Sequence, residues 1–149
     1  MTSRLSTVAR DLAEQLESQP SQTLRRVAAE AAWLSVTRIH VADPRLDTAV
    51  AALRKGALSD VAERQEVRRL VQELDQIAWE AQEKAEQGML PQKAYLEAFF
   101  RARAAAAVGF ALEPDPRYAA FESVYEAWAA TADIDAVRTT VRTAMDRGG

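Results

Sequence analysis

The chain contains no cysteine. That excludes disulfides, thiolate nucleophiles and cysteine-ligated zinc together, and it fits a reducing compartment. Histidine is almost as scarce, with His40 the only one. A di-iron bundle needs two Glu-x-x-His pairs on facing helices, and a zinc protease needs His-Glu-x-x-His; one histidine supplies neither. Ser–His and Cys–His nucleophile pairs have at most one base to draw on and no supporting motif. His40 stands at a predicted helix end, where a cation is favoured, and reads as a cap or surface residue. No Gly-x-x-x-x-Gly-Lys or Gly-x-Gly-x-x-Gly phosphate loop occurs, nor a calcium loop of alternating Asp and Asn. Nothing approaches the roughly 20 apolar residues of a membrane span. Met1-Thr2-Ser3-Arg4-Leu5 is followed by charge rather than an apolar stretch, so no signal peptide is read. The expectation is a cytoplasmic protein with neither cofactor nor metal.

Proline and glycine are also few, at five each, and they punctuate the chain. Pro20, Pro44, Pro91, Pro114 and Pro116, with Gly56 and Gly88, fall between segments of helical period, in the expected arrangement of Pro at first turns and Gly at ends. Only Gly109 interrupts a helical pattern. What is abundant is alanine, at 31 of 149 positions, with 16 arginines against 3 lysines. That bias matches a GC-rich bacterial genome, and alanine is the best helix former.

Seven helices are predicted, at about 4–17, 22–40, from Pro44 to Gly56, 60–87, 91–112, 116–131 and 134–146. Asp43, Ser59, Asp115 and Asp133 are the predicted N-caps. No run alternates with period two, so no sheet is expected. The fold class is therefore all-α: one domain over 1–149, an orthogonal or up-down bundle of about seven helices, with frayed ends at about 1–3 and 147–149. The fourth helix carries the stripe Val67, Leu70, Val71, Leu74, Ile77, Ala78, Ala81, Ala85. The fifth is apolar all round from Ala104 to Leu112, which places it at the centre, with Ala105 and Gly109 allowing close backbone approach.

The net charge is −3, which argues against a nucleic-acid binder. Arg64, Arg68 and Arg69, and Arg138 with Arg142, are interleaved with carboxylates and read as surface ion pairing at three- and four-residue spacing. Glu80, Glu83 and Glu86 could hold a hard cation as a row, but the interspersed Gln and Lys84 make a solvated face the simpler reading.

Two tryptophans lie off the apolar stripes. At about 100° per residue, Trp79 sits roughly 120° from the centre of the Val67–Leu74–Ala81 stripe, among Gln72, Asp75, Gln76, Gln82, Glu83 and Glu86. Trp33 lies opposite Leu24 and Ala31. Either these helices have a second buried face, or the indoles are exposed anchors of the kind enriched at binding hot spots, with an acidic rim that steers a basic partner.

The segment from Tyr95-Leu-Glu-Ala-Phe-Phe-Arg-Ala-Arg through Ala-Ala-Ala-Ala-Val-Gly-Phe-Ala-Leu, then Asp115-Pro116 and Val124-Tyr125-Glu126-Ala127, resembles small helical proteins of high-GC bacteria, some of which are immunity proteins that neutralise toxin domains. The resemblance implies a partner-binding role and carries over no functional residue.

These observations lean away from an enzyme without deciding the point, and support a protein-interaction module, such as an immunity or accessory protein, that occludes a basic partner surface through Asp75, Trp79, Glu83 and Glu86. Two alternatives compete. One is a small-ligand-binding bundle or carboxylate-based enzyme with a pocket lined by Tyr95, Phe99, Tyr118, Tyr125 and Trp128, although aromatic stripes at helical spacing normally fill cores. The other is a nucleic-acid-associated subunit using the arginines. A homodimer through the Trp33 or Trp79 face is also compatible with the sequence.

Overall fold

The computed structural model describes residues 3–57 and 60–147. Among these residues the chain forms eight α-helices and no strand, the expected all-α bundle with one helix more. They are α1 (Arg4–Val8), α2 (Arg10–Glu17), α3 (Ser21–Arg38), α4 (Pro44–Arg54), α5 (Val61–Glu86), α6 (Gln92–Ala111), α7 (Pro116–Thr131) and α8 (Ile134–Asp146). The extra helix arises because the predicted 4–17 helix breaks at Ala9, where φ is −150° and ψ is 75°. The break redirects the chain so that Leu5, Leu12 and Leu16 all bury in one core.

The predicted starts at Asp43, Asp115 and Asp133 are correct, for the predicted reason. Each carboxylate accepts a backbone N–H of its own first turn: Arg45 for Asp43, Arg117 and Tyr118 for Asp115, and Ala136 for Asp133. These bonds satisfy donors that have no partner inside the helix. Ser59 lies outside the described residues; Asp60 caps α5 by accepting from the Glu63 N–H. Pro91 is the residue before α6 rather than its first. At the ends, Ser3 caps α1, and Arg147 follows α8 with its guanidinium 3.5 Å from Glu30.

The interior divides into two clusters. One gathers Leu12 and Leu16 of α2, Val27 and Ala31 of α3, Phe121 and Val124 of α7, and Val137 and Val141 of α8. The other gathers Ala28 and Ala32 from a different face of α3, Leu46 and Val50 of α4, Val67 and Leu70 of α5, Val108 and Leu112 of α6, and Ala119 of α7. Only α3 and α7 contribute to both, so they separate the two clusters. The second half of α6 is buried on nearly every side, from Ala104 to Val108 and at Ala111 and Leu112, but it serves one cluster. It packs against α3, α4, α5 and α7, as the predicted central helix should.

Two expectations about α5 and α6 fail. Ile77, placed on the core stripe, is 54% exposed. Gly109 is not required for close approach, because a Cβ there would meet Val67 and Val71 at 3.7 Å, an ordinary van der Waals distance.

Candidate functional site

The antiparallel register of α5 and α6 is fixed by three links. Arg68 of α5 meets Glu113 just beyond α6, Val67 and Val71 face Gly109, and Asp75 pairs with Arg103. One turn outward from the last pair, the register sets Trp79 level with Phe99; one turn further it sets Glu83 level with Tyr95. At 26 residues α5 is about 39 Å long, and its outer half leaves the two core clusters behind. Beyond Leu70, the only buried residue on α5 is Ala78, and before Ala102 the only one on α6 is Ala98. The outer hairpin is therefore thinly packed, with larger side chains such as Leu74, Tyr95 and Phe99 only half-buried between the two helices.

Several large apolar side chains of this hairpin are nevertheless exposed. Ile77, Trp79, Met89 and Leu96 are 54, 55, 66 and 38% exposed, four of the seven large exposed apolar side chains among the described residues. Trp79, Glu83 and Glu86 follow at spacings of four and three and so share one face of α5. Glu83 and Glu86 are exposed and, among the described residues, form no ion pair. Asp75 differs from the expectation. Its carboxylate is held by the Arg103 guanidinium, so it anchors the base of the surface rather than offering a free charge. Among the described residues, Glu80, Glu83 and Glu86 form no group able to hold a metal ion.

Beneath this surface lies a charge network absent from the sequence reading. Glu126 of α7 is only 1% exposed. Its Oε1 accepts from Arg4 Nη2 at 3.0 Å and its Oε2 from Arg103 Nη1 at 2.9 Å. Arg4 also binds Glu122 and lies 4.2 Å over the Tyr125 ring; Arg103 reaches on to Asp75. The network ties α1, α5, α6 and α7 together at the root of the hairpin. One element is unsatisfied: Arg103 Nε is buried without an acceptor. The signal available in sequence was a glutamate set among Val124, Ala127 and Ala130, all buried on α7.

The five aromatic residues expected to line a pocket pack on one another and on neighbouring rings. Tyr95 packs on Phe99 with centroids 6.2 Å apart, Tyr125 on Trp128 at 5.6 Å, and Tyr118 edge-on to Phe110 at 5.8 Å while remaining 45% exposed. Five surface hollows among the described residues are lined by other residues. Trp33 is 39% exposed and carries the Arg54 guanidinium 4.2 Å over its ring. That cation occupies one face of the indole and leaves Trp79 as the freer of the two. The arginines weighed for nucleic acid are largely engaged: Arg138 and Arg142 on Asp11, Arg68 on Glu113, and Arg69 on Glu66.

Among the described residues no helix is long and apolar enough to cross a membrane. No protein-family model matches the chain, and no curated protein or solved structure shows significant similarity to it. The comparisons therefore lend no support to the likeness of residues 95–127 to immunity and accessory proteins, and the functional reading rests on the residues themselves.

Proposed function

We propose that the chain is a helical protein-interaction module that docks a partner of basic surface on the outer α5–α6 hairpin. The observation that carries this reading is the Trp79 indole, 55% exposed on the same face of α5 as the exposed Glu83 and Glu86. Trp79 has the chemistry of an anchor that a partner seals from solvent, and the unpaired Glu83 and Glu86 beside it select and steer a cationic surface.

The same charges argue against a two-fold dimer through this face, since an isologous contact would set each acidic patch against itself. The occlusion of a toxin-like partner suggested by the resemblance belongs to this proposal as its narrower form. A photoreactive aromatic residue at position 79 should crosslink a specific partner in the source cells, whereas the same group at the exposed Val61 should not. With that partner purified, Trp79→Ala should weaken binding at least about tenfold, the hot-spot range. Glu83→Arg should weaken it in a salt-dependent manner. Unchanged affinity in both variants would overturn the proposal.

A further inference from the structure

On a different side of the molecule, three helix ends converge on a hollow of about 450 Å³. Its wall is formed by α3, the end of α4, the end of α6, and Arg147 after α8. Five cations line it, namely Arg25, Arg26, Arg54, Lys55 and Arg147, against the single carboxylate of Glu30. The chain as a whole carries a net charge of −3, so this concentration of positive charge runs against the overall balance.

The bland explanation is that the cations complement helix C-termini, and part of the charge does serve that end. Arg25 donates to the carbonyls of Glu113 and Pro114 beyond α6, and Arg26 donates to the Ala144 carbonyl of α8 at 2.8 Å. The magnitudes decide the matter. A helix C-terminus presents only about half a negative charge, so three of them together with Glu30 offset about half of the five cations. Carbonyls fix Arg25 and Arg26 in place without neutralising them. Arg54 and Arg147 share Glu30 at the loose distances of 3.9 and 3.5 Å, and Lys55 has no ion pair among the described residues. Burial depresses the Arg25 pKa from its ordinary value against the pull of Asp115, as expected of a cation held without a carboxylate in contact.

The geometry points to a binding site for a small molecule that carries a di- or triphosphate group on an organic body. An excess of more than two positive charges calls for a multiply charged anion, and preorganised guanidinium groups give charge-assisted bonds to phosphate oxygens. The hollow falls within the size range of ligand sites, and its floor of Ala29, Leu53, Ala111 and Leu112 is apolar. Arg54 and Lys55 also wall a neighbouring hollow lined by Trp33, Val36 and Val50, with Asp47 in it. The carboxylate there turns phosphate toward the first hollow and leaves the Trp33 side to the organic body.

Titration calorimetry of the full chain with inorganic triphosphate and with ATP, at constant ionic strength, tests the site. Saturable micromolar binding of ATP is expected, with inorganic triphosphate weaker, and ATP should change the fluorescence of wild type but not of Trp33→Phe. Lys55→Glu and Arg147→Glu, both at exposed positions, should each weaken binding about tenfold or more. Lys93→Glu, at the far end of the molecule, makes the same charge change and should leave it intact. No saturable binding at millimolar ligand, or an equal loss in Lys93→Glu, would overturn the assignment.

Discussion

Replacing Glu126 by glutamine keeps the shape of the side chain and removes its charge. In the structure that carboxylate is 1% exposed and accepts one guanidinium on each oxygen, at 3.0 and 2.9 Å. The amide can still accept on one side, but on the other its NH₂ must face a guanidinium, donor against donor. Breaking a fully buried pair by removing one member costs roughly 3–5 kcal/mol, because the partner charge is left without compensation. Here the penalty is smaller. The Arg4 side chain is 46% exposed and keeps Glu122, and the Arg103 side chain is 20% exposed and keeps Asp75. The expected destabilisation is therefore about 2–3 kcal/mol, which for a chain of this size lowers the melting temperature by roughly 4–12 °C. Urea unfolding followed by circular dichroism measures the difference directly, through a lower midpoint at unchanged slope. Arg4→Met should destabilise by a similar amount, because it leaves Oε1 of the buried Glu126, and Glu122, without that guanidinium. A loss below about 0.5 kcal/mol in Glu126→Gln, the size of an ordinary surface substitution, would refute the claim that this network holds the root of the hairpin.

Ala132 ends α7 in the left-handed region at φ 54°, ψ 29°, a conformation that carries a steric penalty for a residue with a Cβ; Ala132→Gly should raise stability by about 0.5–1 kcal/mol in the same assay. Gly109→Ala should also stabilise, by up to about 1 kcal/mol from helix propensity, because its methyl meets Val67 and Val71 without overlap. Hydrogen bonds from Arg138 hold the Asp11 carboxyl below its usual range, those from Arg45 do so for Asp43, and the Ala136 N–H followed by Arg38 does so for Asp133. Each of these groups favours the folded state fully above the ordinary carboxylate pKa of about 4 and loses that contribution as pH falls through its depressed folded value. Thermal melts should accordingly be insensitive to these groups near neutrality and decline in strong acid, and Asp11→Asn should decline less steeply than wild type.

Much of the fold was legible because its signals are local. Asp43, Asp115 and Asp133 act within three residues of themselves, and the prolines and glycines mark the ends of the rods. What the sequence hid depends on neighbours far along the chain. Ile77 lies on the flank of a stripe that would be buried if several helices packed on α5, but only α6 accompanies its outer half, and one helix covers a narrow arc. Periodicity set Trp79 off the apolar stripe but left open whether a second helix covered it; the uncovered outer half of α5 leaves it 55% exposed. Asp75 was rightly set on that exposed side, yet its partner Arg103 comes from the next helix. Glu126 meets Arg4 across 122 positions, and the basic hollow draws on α3, α4 and α8 together; neither spacing nor composition relates residues so distant. The break at Ala9 has no helix-breaking residue to announce it and follows from the packing of Leu5 and Leu12 into a common core.

The central claim is that the Trp79 indole stands in water on an acidic hairpin and is covered only by a partner. In a chain whose other tryptophans are replaced by phenylalanine, acrylamide quenching of Trp79 fluorescence measures this directly. The account predicts red-shifted emission and ready quenching in the isolated chain, with both reversed when the partner crosslinked through position 79 is added. Blue-shifted, quencher-resistant emission from the isolated chain, or an indole left equally accessible in the complex, would contradict it.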